Sequence, residues 1–373
     1  MKKSFLALAV AALAATSIAS TASAATVYDK DGTSLAVYGR VQSVLYSDKA
    51  QSDAEDAATI SSSARLGVDM RSQLTSGVAA FAKAEWEGAN GNGRAELEGG
   101  DHFSTRYLWV GVDFGQFGSV KVGKFEPAIK YAISQTDIFD DWGCAGLSGN
   151  DDKREGVVQY QWSGYGFDAI ASYVFAKNGE HIDGAYELNK EAADMDSTVS
   201  LALGYTSPDV VFGPIAVRAG YEHGEFADTT ANFVGGANGY AYDSYDQFAG
   251  GLSWGSLDLG PYVAAVYQQR EFSTKAVGTG TASPDLKVSG YEFAVGYSFA
   301  NGITARTGYN TKKYEIDGDG EVKGSNVPVY VNYQINPQFN VWGEACFDAS
   351  SDVGAKDVIV DENVYSAGLR YVF

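Results

Sequence analysis

The strongest constraint on this chain is a two-beat rhythm. From residue 35 to the last residue, sixteen short alternating segments are separated in turn by tight turns and long polar loops. The segments span about 35–46, 62–73, 77–87, 104–114, 117–124, 154–162, 166–176 and 197–207 in the first half. In the second they span about 214–223, 246–255, 259–268, 286–299, 302–314, 326–335, 338–348 and 363–373. Short connections such as Gly115-Gln116, Ala300-Asn301-Gly302 and Asn336-Pro337 have turn chemistry. Long ones include 47–61, 88–103, 125–153, 177–196, 224–245 and 349–362, and the two kinds never exchange order. That order predicts an all-β, up-and-down antiparallel barrel with two unequal rims.

The faces decide the solvent. In a strand, successive side chains point to opposite sides. Tyr291, Phe293, Val295, Tyr297 and Phe299 share one side of the twelfth segment, against Glu292, Ala294, Gly296 and Ser298. The eighth sets Val199, Leu201, Leu203 and Tyr205 against Ser200, Ala202, Gly204 and Thr206. The ninth sets Ile215, Val217, Ala219 and Tyr221 against Arg218, Gly220 and Glu222. A soluble β-sandwich also alternates. Aromatics at strand ends and too little apolar surface for a second sheet favour a transmembrane barrel, lipid outside and water within.

Two segments depart from the pattern. The third turns Val78, Ala80, Ala82, Ala84 and Trp86 outward and Lys83, Glu85 and Glu87 inward. Small alanines make a flat wall suited to packing against another subunit. The fourth, from Arg106 to Phe114, alternates poorly, as expected where both faces touch protein.

Residues 1–24 have the form of a cleaved secretory signal: Lys2 and Lys3, an apolar run from Leu6 to Ala15, and Ala22-Ser23-Ala24 at the cut. The barrel domain is then 25–373, and losing the two lysines takes the formal charge from −20 to −22. Such a charge argues against nucleic acid, whose phosphates need clustered Lys and Arg. It suits cations, either passing through a pore or bridging anionic lipid. The rest of the chain has no run near the roughly 20 apolar residues of a membrane helix.

The order of motifs resembles a known family. Val27-Tyr28-Asp29-Lys30-Asp31-Gly32 followed by Val37-Tyr38-Gly39-Arg40-Val41 resembles the mature start of the Gram-negative general diffusion porins. Ala64-Arg65-Leu66-Gly67-Val68, Thr105-Arg106-Tyr107-Leu108-Trp109-Val110-Gly111 and Gly118-Ser119-Val120-Lys121-Val122-Gly123-Lys124 are similar to its next strands, and Val364 to Phe373 to its closing strand. The resemblance covers the mature chain and is loosest in the middle loops. It implies a homotrimer of sixteen-stranded barrels in the outer membrane, in contact with lipid and lipopolysaccharide. It also implies that the third long loop, 125–153, folds into the lumen as a constriction. That connection is far longer than a barrel hairpin requires.

By the same resemblance Arg40, Arg65 and Arg106 form a basic wall. Its fourth member is either Lys153 or Arg154. Asp137 and Asp141 match the acidic loop positions. Asp140-Asp141-Trp142-Gly143-Cys144 stands where the family has Pro-Glu-Phe-Gly-Gly, which adds Asp140 as an extra acid. Glu344 lies where the loop tip rests on the wall in related porins, with Asn340, Trp342 and Cys346 on the same inward face. Cys144 and Cys346, the two cysteines of an exported chain, could form one disulfide pinning the loop; the alternative is two separate buried thiols.

Other signals carry little. Asp317-Gly318-Asp319-Gly320-Glu321 lacks the later ligands of a calcium loop. Gly88 to Gly93 has no nucleotide fold around it. His102, His181 and His223 lack metal-ligand spacing, and no nucleophile–base pair suggests an enzyme. No metal or cofactor is expected. Asp53, Glu55 and Asp56 could hold divalent ions between lipopolysaccharide phosphates or be solvated charges. The expected function is passive diffusion of small hydrophilic solutes and ions, weakly cation-selective. The alternative, a solute-specific channel, would need a track of inward aromatics, whereas Tyr262, Tyr330 and Trp342 are scattered.

Overall fold

The computed structural model describes residues 24–47, 58–89, 103–149, 153–182, 184, 192–234, 238–282, 285–316, 320–351, 359 and 362–373. Nearly all of residues 1–24, together with Asp53, Glu55, Asp56, His102, Asp317 and Asp319, lie outside them.

Sixteen strands form the ring. They are β1 (Thr33–Tyr46), β2 (Thr59–Thr75), β3 (Val78–Ala89), β4 (Phe103–Asp113), β5 (Ser119–Phe125), β6 (Arg154–Gly164), β7 (Phe167–Val174) and β8 (Ala192–Thr206). Then come β9 (Ile215–Phe226), β10 (Tyr240–Gly255), β11 (Gly260–Ala276), β12 (Leu286–Ser298), β13 (Ile303–Ile316), β14 (Gly320–Asn336), β15 (Phe339–Asp348) and β16 (Val364–Val372). Each pairs antiparallel with the next, and β16 closes on β1 through Val372↔Arg40 to Ser366↔Tyr46. Closure leaves no free edge, so the backbone polar groups of the ring are satisfied without water, as a lipid setting demands. A short strand, Ala25–Lys30, extends the ladder along β1, with Ala25 opposite Val37, while Phe373 exchanges backbone bonds with Gly39.

The alternation resolves as the sequence predicts. Leu201, Phe293 and Tyr297 are about half exposed on the outer surface, while Ser200 and Glu292 are buried inside. Two features of the ring depart from the sequence reading. First, β10, β11 and β14 reach 16, 17 and 17 residues, every extension lying at the long-loop end. Some 9–11 residues cross a bilayer, so these ends stand clear of lipid. Their outer faces carry Asp243, Glu271 and Lys275 in place of the apolar beat that marks a strand in sequence.

Second, the poor alternation of β4 comes from a bulge. Glu85 pairs with Tyr107 and Trp86 with Thr105, leaving Arg106 as the extra residue. A bulge shifts the facing of all later residues in its strand by one position, so Arg106 and Tyr107 both reach inward. That register slip, together with the inward-facing aromatics Tyr107 and Trp109 farther along the strand, accounts for the pattern within one barrel.

On the long-loop side, Ile182 packs into a buried apolar cluster with Met195, Phe226, Tyr242, Phe272 and Val288. All the clustered strand residues point inward, so this part of the vestibule is filled.

A charge on the outer face tests the assignment. Leu201→Arg is expected to lower stability in lipid vesicles by about 2–4 kcal/mol, read by denaturant unfolding, with Leu201→Val close to wild type. Equal stability of the two variants would mean that this face does not meet lipid.

Candidate pore constriction

After Phe125 the chain leaves the ring and runs along its inner wall. A segment inside a barrel cannot leave its backbone N–H groups unpaired, and here the wall supplies acceptors in sequence. Ala128 N donates to Ser172 Oγ at 2.9 Å and Ile129 N to Ser200 Oγ at 2.7 Å. A five-residue helix, α1 (Ile129–Ile133), comes soon after Pro127, whose fixed φ suits a helix start. Ile129, Ala132 and Ile133 of α1 pack on Ala249 and Val266 of the wall. Gln135 Nε2 then donates to the Ala216 carbonyl at 3.0 Å and Ser253 Oγ at 2.9 Å, and Thr136 Oγ1 to Glu292 at 2.6 Å.

At the tip, three successive backbone N–H groups converge on one carboxylate. Asp140 N and Asp141 N donate to Glu344 Oε2 at 3.0 Å each, and Trp142 N to Oε1 at 2.8 Å. The chain then reverses at Cys144, whose φ of +54° is left-handed. On the return, Gly146 N donates to Glu292 Oε1 at 2.9 Å and Ser148 N to Gln268 at 2.7 Å. The limb lies so close to β12 that a Cβ on Gly290 would collide with the Gly146 carbonyl. The third long loop is thus folded into the lumen, docked from β7 to β15 and back to β10.

The opposite wall, β16 and β1 to β4, is basic. Arg40 and Arg65 are cross-strand partners. Arg65 Nε donates to Glu87 at 2.7 Å, Arg106 reaches Glu85 and Glu87 at 2.9 Å each, and Arg40 stands 3.9 Å from Glu87. Where the loop tip reaches the edge of this wall, Asp140 accepts from Arg370 and from the Tyr330 hydroxyl, both at 2.7 Å. Asp141 accepts from Tyr46 at 2.7 Å and Ser366 at 2.6 Å. Asp137 pairs within the loop, 3.0 Å from Lys130.

Lys153 and Arg154 both point inward but to different places. Lys153 sits 3.4 Å from Glu126 at the loop's start. Arg154 is buried behind the loop, donating to Glu222, Thr198 and Tyr245. The postulated Cys144–Cys346 disulfide is absent. The left-handed turn at Cys144 sends its thiol toward Ile129, Ile133 and Leu147. Cys346 packs with Val44, Tyr46, Trp142 and Trp342 at the tip instead. The two are separate buried thiols.

Sequence reasoning missed three groups. Arg370 is inward by the alternation of the last strand, a signal the sequence does carry. Glu85 and Glu87 were placed inward but not among the arginines, because pairing between strands is invisible in one strand's pattern. Glu292 was read only as a polar lumenal residue, and nothing local reveals that it holds two points of a distant loop.

Known proteins share this arrangement of barrel and loop sequence. A family model described as Gram-negative porin matches residues 9–275. The chain belongs to the Gram-negative porin family. The outer membrane porin protein OmpD of Citrobacter koseri is 26% identical over 391 residues, covering 100% of both chains. OmpD of Salmonella typhimurium is 27% identical over 404 residues, again covering 100% of both. Among solved structures, Salmonella typhi OmpF in complex with daunomycin superposes with TM-score 0.72 at 18% identity, covering 94% of this chain and 100% of that one. Vibrio cholerae OmpT gives 0.67 at 20% identity, covering 92% and 99%. This porin is therefore an outer-membrane barrel whose relatives are channels rather than enzymes.

The docking of the porin's loop can be tested in two ways. A hydrogen bond to a charged acceptor contributes about 1.5–3 kcal/mol, and Glu344 takes three. Glu344→Ala is expected to free the tip, raising open-channel conductance and current noise, with Glu344→Gln intermediate. Unchanged traces in both would show that the tip is held elsewhere. Burial works against the charge on Asp140, but Arg370, the Tyr330 hydroxyl and Arg40 together hold its carboxyl below the ordinary range. Its contribution to docking is complete above the free value of about 3.9 and is lost only as pH falls through the lower folded value. Infrared titration of isotope-labelled aspartate, differenced against Asp140→Asn, should find the midpoint below that value.

Proposed function

We propose that this porin is a general diffusion channel, passing small hydrophilic solutes and ions with a weak cation preference. What supports the reading is the infolded loop, which narrows the lumen beside Arg40, Arg65 and Arg106 and brings Asp140 onto Arg370 at the edge of that wall. Charges held across a narrow, partly dehydrated gap make a steeper field than they would in bulk water. Such a field orients dipolar solutes and sorts ions while free diffusion continues.

The weakness of the preference comes from near cancellation. Arg40, Arg65, Arg106 and Arg370 are met by Glu85, Glu87, Asp140 and Asp141, and Asp137 by Lys130. These groups largely balance one another, while Arg218 and Arg306 also reach the loop, donating to the Tyr131 and Ile138 carbonyls. The formal −22 of residues 25–373 tips the balance toward cations.

The assembly we assign is a homotrimer, with the small-residue outer face of β3 (Val78, Ala80, Ala82) against a neighbour. A solved relative, Vibrio cholerae OmpT, carries the description "trimer form". The acidic long loop carrying Asp53, Glu55 and Asp56 is assigned to lipopolysaccharide contact through divalent ions. Residues 1–24 are assigned as a cleaved signal.

Single-channel recording under a salt gradient tests the reading. Three equal closing steps and a cation-selective reversal potential are expected. Replacing Asp137, Asp140 and Asp141 by Asn should move that potential toward or past zero. A correctly folded protein without conductance would refute the channel assignment, and an unmoved potential would refute the role of the loop acids.

A further inference from the structure

The inner wall between the arginines and the short-turn rim is not uniformly polar. Phe81 and Lys83 on β3, Tyr107 and Trp109 on β4, and Lys121 and Phe125 on β5 occupy it together. The register sets their common face: Lys83 pairs with Trp109, while Phe81 and Lys121 both pair with Gly111. Directly opposed residues of antiparallel strands share a face. Their neighbours Leu108, Val110 and Val122 point outward, 56%, 59% and 46% exposed.

The side chains make a composite surface. Phe81 and Trp109 meet edge to face at 5.3 Å. The Lys121 ammonium lies 4.1 Å from the Phe125 ring centre and 5.4 Å from that of Trp109. Lys83 stands 5.5 Å from the Tyr107 ring centre and 3.8 Å from Asp69. Phe125 is covered, whereas Phe81, Trp109 and Lys121 keep part of their surface open. Lys121 makes no ion pair within 4 Å among the described residues: ring faces are its nearest partners, and the Glu126 carboxylate, already shared by Tyr107 and Lys153, acts on it only at longer range.

This chemistry selects among solutes. A cation would be repelled, because ammonium groups already stand over the rings. A sugar would find flat apolar surface, but from Lys83 and Lys121 only donors to meet its hydroxyls. A carboxylate with a planar apolar body fits both parts: its charge is met by the Lys121 ammonium, and its ring lies against the open surfaces of Phe81 and Trp109.

We propose that Phe81, Trp109 and Lys121 form a contact site for small organic anions with a planar apolar body, on the short-turn side of the constriction. This rests on the channel reading, and it adds a weakly retained class of solute to a pore that otherwise favours cations. Retention of this kind slows passage without stopping it, since conduction requires that a bound species also leave. Besides Tyr262, Tyr330 and Trp342, which lie on separate strands, the inner wall thus carries one aromatic group gathered on β3 to β5.

The test uses the full protein in planar bilayers, with open current recorded before any probe is added. Benzoate is compared at matched ionic strength with acetate, which lacks the ring, and benzyl alcohol, which lacks the charge. Benzoate is expected to give saturable block or flicker that neither control gives. Lys121→Gln and Trp109→Leu should each raise the half-blocking concentration roughly three- to tenfold, measured against each variant's own open current. Block by benzoate no greater than by acetate would overturn the site while leaving the channel intact. A half-blocking concentration unmoved in both variants would do the same. Absence of open current in folded protein would overturn the channel reading and the site with it.

Discussion

The pore depends on a hydrogen-bonding obligation. A segment of more than twenty residues enters a barrel lumen, and each buried N–H it brings must find an acceptor. Glu344 answers three of them at the tip, and Glu292 holds the outgoing limb at Thr136 and the returning limb at Gly146. Two wall carboxylates thereby set how far the loop projects. Every property of the constriction depends on that distance.

The loop in turn requires a wall shaped to receive it. Small residues on the inward faces of β8 to β12 leave a groove, and Gly290 is the clearest case, since any side chain there would strike the loop backbone. The larger inward groups are displaced to the opposite wall and to the two rims. Loop docking therefore divides the interior into a filled side and an open side. The open side is lined by arginines with their glutamates and, toward the short turns, by aromatics with lysines.

The mutual neutralisation of the arginine wall has its own consequence. Four guanidinium groups in proximity repel one another, and Glu85 and Glu87 lie among three of them while Asp140 reaches the fourth. The wall carboxylates hold the arginines in place and spare the loop acids from neutralising them all. The field across the gap is then one between local dipoles rather than between two uncompensated sheets of charge.

Much of this was legible in the chain itself. The sixteen strands, their faces and the order of short and long connections all derive from a period of two and from turn chemistry, because both are local and repeat in every strand. The inward placement of Glu85, Glu87 and Glu344 belongs to the same signal, whereas Arg40 and Arg65 are placed on the wall by the family resemblance. Tertiary structure decided what local pattern does not carry: the bulge that turns both Arg106 and Tyr107 inward, and the strand ends that continue beyond lipid. It also decided the turn that parts Cys144 from Cys346, and the meeting of Glu292 with two points of one loop. The physical reason is range. Alternation is imposed residue by residue by the pleat, whereas a register slip or a docked loop is settled by contacts between segments tens to hundreds of residues apart.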